Sequence, residues 1–157
     1  MPAAIVAIAV IGLLLSNFQK EAGIIRPSKG GIAAVAAAAA AVESAEGVGG
    51  AGHRDFSEAL LVAAVAQRRA PLINPADARL ANMLAKIIDC LYALRETWQT
   101  EMDQTWDPET HGTVAYWSVL HPALEISAEG PLTSDDVRGA CLKRAGEILE
   151  EATDLAS

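Results

Sequence analysis

Four residues near the middle of the second half have types and spacing that could do chemistry. Asp107, Glu109, His111 and Gly112 open the pattern of a calcium loop, with Glu101 and Asp103 just upstream. Oxygen ligands at alternate positions before a turn-permitting glycine are what a hard cation requires. The closing carboxylate is missing, since the twelfth position is Ser118, and Pro108 adds a constraint that such loops lack. The expectation is a solvated acidic turn, with a metal-binding or enzymatic module around Asp103 to His111 as an alternative and no metal ligand assigned.

A second pattern, GVGGAG at residues 47–52, matches the letters of a dinucleotide-binding turn through Gly47, Gly49 and Gly52. That turn works when a β-strand delivers it and the following helix N-terminus receives a pyrophosphate. Here an alanine-rich helical pattern ending in Glu43 and Glu46 precedes it. Read as a phosphate loop, the Lys and Ser/Thr positions hold His53 and Arg54. A hinge is expected, and no cofactor is assigned.

The histidines His53, His111 and His121 show no HExxH or i, i+4 pairing. His121 precedes Pro122 in an apolar segment and reads as a structural histidine. Cys90 and Cys141 fall on apolar helix faces, so buried reduced thiols are expected in place of a nucleophile pair, although their spacing alone leaves one disulfide open. That usage suits a reducing cytoplasm or a macromolecular assembly better than secretion. No GxSxG elbow, CxxC pair or evident acid–base dyad is present.

Charge divides the chain in two. Residues 1–78 hold six acids and six bases, whereas residues 79–157 hold fourteen acids against six bases, so the whole net charge of −8 lies in the second half. An acidic half lacks the clustered Lys and Arg that phosphate backbones require, which excludes nucleic acid as the expected partner. The chain is 52% apolar but only 4% aromatic, and 32 of its 157 residues are alanine.

The elements that must position these residues read as helices. Ala3 to Leu15 is a run of thirteen uncharged apolar residues, short of the roughly 20 that a bilayer core requires. No basic segment precedes it and no small-x-small site follows it, so it does not read as a signal peptide. Ile5, Ile8, Ile11 and Leu14 are its candidate interaction residues. Arg26-Pro27 and Gly30-Gly31 are expected to break the chain before an alanine-rich helix at residues 32–46. A third helix follows at residues 55–69, with Asp55 as its cap, Glu58 three residues on, and Arg68-Arg69 favouring its C-terminal dipole.

Asn74-Pro75-Ala76-Asp77 supplies a cap, a proline at the first helical position and an early acid. From there Leu80, Leu84, Ile87, Leu91, Leu94 and Trp98 form a heptad seam along one helix of about residues 75–105, and these six are also assigned as interaction residues. Residues 107–130 fit either a short helix from Pro108 or a strand pair. Five of the seven aromatics fall between positions 92 and 117, so this segment is expected to pack on the long helix. Thr133 to Asp136 is a capping box, and Val137, Cys141, Ala145, Ile148, Ala152 and Leu155 share one face of the helix it starts. Glu150, Glu151 and Asp154 have the wrong sign for its C-terminus, which is expected to fray, with contact to a basic partner as the alternative.

The sequence therefore implies an all-α protein in two parts: an apolar Ala/Gly-rich arm or assembly region at residues 1–72 and an acidic helical domain at residues 73–157. Its implied role is structural and non-enzymatic. The N-terminal region would pack against copies of itself or other protein subunits, as in a virion, secretion device or pilus. A small membrane-associated protein inserting residues 1–45 is the alternative, with Lys20, Arg26 and Lys29 marking the cytoplasmic side. Thirteen exposed apolar residues exceed what soluble monomers tolerate, and the alanine-rich helix, which buries little area, is likewise expected to find cover outside this chain.

Overall fold

The computed structural model describes residues 25–47 and 52–157. Among them are five α-helices and no strand: α1 (Lys29–Glu46), α2 (His53–Arg69), α3 (Pro75–Met102), α4 (Val114–Leu120) and α5 (Ser134–Ala156). A 3₁₀ turn, Pro122–Leu124, follows α4. The protein is all-α.

The long helix α3 begins where the sequence indicates. The Asn74 side chain accepts from the Asp77 N–H at 2.9 Å and Pro75 occupies the first turn. Its 28 residues span about 42 Å. The helix ends as Asp103 caps it and Gln104 enters the left-handed region at φ 54°. Thr133 and Asp136 form the expected reciprocal box at the start of α5. That helix continues to Ala156 with its acidic end intact.

Two starts differ from expectation. Helix α1 begins at Lys29, with Ser28 as its cap, and includes Gly30 and Gly31 as helical residues. These glycines permit close approach: a Cβ on Gly30 would lie 2.6 Å from Pro71 Cδ, and one on Gly31 would lie 3.0 Å from Asp77 Oδ1. Helix α2 begins at His53, behind Gly52 and without a side-chain cap, so Asp55 lies inside the first turn. Glu58 reaches back to Arg54 at 3.1 Å on the exposed surface.

The core is one cluster drawn from α1, α2, α3, α5 and the segment between α3 and α5. Helix α3 supplies its axis through Leu80, Leu84, Ile87, Leu91 and Leu94, all at most 1% exposed, while Trp98 is partly buried at the edge. Across it lie Val137, Cys141, Ala145, Ile148 and Ala152 of α5. Ala34, Val35, Ala38, Ala41, Val42 and Ala45 of α1 close the same core. The alanine-rich helix thus finds its cover inside this chain, which corrects the expectation that it needs a partner. Small side chains allow α1 to approach α2, α3 and α5 closely, so its dispersion contacts come from many short-range neighbours.

Candidate functional site

Helix α3 and the α4 segment bring together the densest group of chemically capable side chains. Asp89 and Glu96, seven residues apart, share a face of α3 toward which the chain returns after α4. His121 enters between them: its Nδ1 is 2.9 Å from Asp89 Oδ1 and its Nε2 is 3.1 Å from Glu96 Oε2. The Tyr116 hydroxyl donates to Glu96 Oε1 through a short hydrogen bond, and the Ala123 N–H donates to Asp89 Oδ2 at 3.1 Å. Burial, with Glu96 beside it, pushes the Tyr116 phenol up to about 12. Trp117 stacks on His121 and donates from Nε1 to the His111 carbonyl at 2.7 Å.

These bonds determine what the group can do. An imidazolium can donate from both ring nitrogens, one to each carboxylate, whereas a neutral ring can donate to only one. Both nitrogens of His121 face protein oxygens, so neither is directed at a substrate. Asp89 and Glu96 lie on opposite ring edges and do not converge on a common point. A groove of about 530 Å³ lined by Tyr92, Arg95, Glu96, Gln99, Thr100 and His121 opens beside the group. The arrangement is a clasp that ties the α4 segment to α3.

The acidic turn after α3 is satisfied from within. Asp107 Oδ1 accepts from the Glu109 N–H at 3.1 Å, Asp107 Oδ2 accepts from the Thr110 hydroxyl at 2.6 Å, and His111 Nδ1 accepts from the Asp107 N–H at 2.9 Å. The Thr110 and Glu109 donors hold the Asp107 carboxyl below its ordinary value. Gly112 passes so close to the Pro108 carbonyl that a side chain there would overlap it. Of the two forms expected for residues 107–130, the short helix is found, but it does not start at Pro108. The helix starts at Val114 behind the Thr113 cap, because Asp107 to Gly112 are used in the turn. Among the described residues, no group of three or more His, Cys, Asp or Glu side chains is placed to hold a metal ion.

Cys90 and Cys141 are free thiols at 0% exposure. Burial, with Asp89 beside it, pushes the Cys90 thiol up to about 12, and burial raises Cys141 as well. Neither has the thiolate character that a nucleophile needs.

The assigned interaction residues separate. Leu80, Leu84, Ile87, Leu91, Leu94 and Trp98 pack within the core of this chain. Ile5, Ile8, Ile11 and Leu14 lie outside the described residues. The residues exposed on the N-terminal span are others, and they were not singled out from the sequence: Leu61 (62%), Val62 (60%), Leu72 (69%) and Ile73 (74%), joined by Ile32 and Val65. Leu61, Val62 and Val65 lie on the side of α2 opposite Phe56, Leu60, Ala63 and Ala64, which face the core. No helix among the described residues is long and apolar enough to cross a membrane.

No family model matches this chain, and no curated protein and no solved structure matches it either.

Proposed function

We propose that this chain is a non-enzymatic helical subunit that associates with copies of itself or docks onto other protein subunits through apolar surface on its N-terminal region. One observation carries the proposal: the apolar face of Leu61, Val62 and Val65 on α2, with Leu72 and Ile73 in the loop after it, lies open to water. An exposed apolar stripe along one helix face, here Leu61, Val62 and Val65, is the kind of surface by which proteins contact one another. The run from Ala3 to Leu15 is likewise apolar in sequence and belongs to the same N-terminal part of the chain. The engagement of both His121 ring nitrogens by Asp89 and Glu96 and the burial of both thiols favour a structural role over a catalytic one.

The test is the mass of the full chain in detergent-free buffer by light scattering, compared with a chain lacking residues 1–18 and with the variant Leu61→Glu/Leu72→Glu. The expected result is a soluble oligomer whose mass falls in the double variant. A single-copy mass for the unaltered chain at every concentration would overturn the proposal.

A membrane-associated protein is the second reading, favoured by the thirteen-residue apolar run with Lys20, Arg26 and Lys29 after it. Residues 32–45 would have to leave the core to insert, since Ala34, Ala38 and Ala41 are at most 1% exposed. Carbonate-resistant sedimentation with membranes would support this reading, and a soluble detergent-free oligomer would end it.

A further inference from the structure

The outer face of α2 is patterned as well as apolar. Glu58, Val62, Val65 and Arg69 follow one another at intervals of four, three and four, the spacing of a straight seam along a helix, and all four are exposed. Leu61 flanks the seam, also exposed. Glu58 stands at the start of the seam with exposed Arg54 paired to it one turn earlier, the middle is apolar, and the end is basic, where Arg68 lies beside Arg69. Helix α2 packs on α1 and α3 through its opposite side. The pattern reads as its own complement once reversed, which is the requirement for a contact between two identical surfaces related by a two-fold axis.

We infer that a second copy of this chain seats on the outer face of α2, with the two α2 helices antiparallel about a two-fold axis that lies outside that face, level with the midpoint between Val62 and Val65. This rests on the self-association proposed above and names its surface and geometry. About that axis Val62 of one copy meets Val65 of the other, and Glu58 of one meets Arg69 of the other, twice in each dimer. A parallel pair would set Glu58 against Glu58 and Arg69 against Arg69, and like charges in register oppose it. The existing Arg54 to Glu58 pair is solvent-exposed, 86% and 65% at its side chains, so Glu58 exchanges partners at little cost.

The experiment is sedimentation equilibrium of the full chain over a wide concentration range for the unaltered protein, Glu58→Arg, Arg69→Glu, the double variant with both changes, and Val62→Asp. Circular dichroism melts at the lowest concentration check that each variant folds. The expected result is a dimer that each single charge reversal weakens by about tenfold, that the double reversal restores to within about threefold, and that Val62→Asp abolishes. A dimer or larger oligomer indifferent to all four variants overturns this interface while leaving self-association standing. A single-copy mass throughout overturns both. If removing residues 1–18 converts a single-copy chain into one that associates through Val62, the occupant of this face is the chain's own leading segment, and the antiparallel dimer is wrong.

Discussion

Asp77 is a carboxylate at 2% exposure, a placement that would be prohibitive without partners. Its Oδ1 accepts from the Ser28 N–H at 2.8 Å and the Ser28 hydroxyl at 2.9 Å, and its Oδ2 accepts from the Ile73 N–H at 3.0 Å. The Asn74 amide completes the joint by donating to the Arg26 carbonyl at 3.1 Å. One side chain therefore locks the start of α1 to the start of α3. Burial pushes its carboxyl up, but the donors on Ser28 and Ile73 outweigh that and hold it below the ordinary carboxylate value. Asp77→Ala strands two backbone donors and is expected to cost about 2 to 4 kcal/mol of unfolding free energy, read from urea denaturation at neutral pH. A loss under about 0.5 kcal/mol, the range of surface changes, would contradict the joint. Because the folded carboxyl is more acidic than the unfolded one, its stabilisation is complete above the unfolded value near about pH 4 and disappears as pH falls through the folded value. The stability difference between the unaltered protein and Asp77→Asn should therefore shrink on acidification below about pH 4 and stay flat from about pH 5 to 7.

At the scale of elements, the seam of α3 is the spine on which the other helices are laid. Leu91 is fully buried with Ile87 and Leu94 one turn away, so Leu91→Ala is expected to cost about 2 to 5 kcal/mol, measured by thermal or urea unfolding. A change below about 0.5 kcal/mol would place the seam at a surface. This helix was legible because its information is local: Asn74-Pro75 fixes the start and the apolar repeat fixes the buried face. The start of α1 was not, because Gly30-Gly31 carries the letters of a break, and the reason for glycine there is the proximity of Pro71 and Asp77, more than 40 positions away. Residues 107–130 resisted reading for a related reason. Their shape follows from Asp107 closing a turn on its own backbone and from His121 bridging Asp89 and Glu96. The one sequence signal for that clasp was the seven-residue spacing of the two acids, which places them on one face without naming what lies between them.

At the scale of the molecule, the two parts distinguished by charge contribute to the same core. Residues of α1 and α2, from the span without net charge, pack on α3 and α5 of the acidic span. The polyalanine that suggested a free arm is thereby absorbed, and the large apolar side chains left exposed on the described N-terminal span are Ile32, the outer side of α2 and the loop after it, with Met102, Val119 and Leu120 exposed elsewhere. Periodicity along α2 alone could not show this, because a helix with apolar residues on several sides declares its buried side only when its neighbours are in place. On the proposal above, a second copy covers the outer face of α2. Its most direct test is the concentration dependence of mass in detergent-free buffer for the full-length chain beside Val62→Asp. The expected outcome is a reversible dimer for the former and a single folded copy for the latter; a folded single copy for both, at concentrations up to the solubility limit, would rule the dimer out.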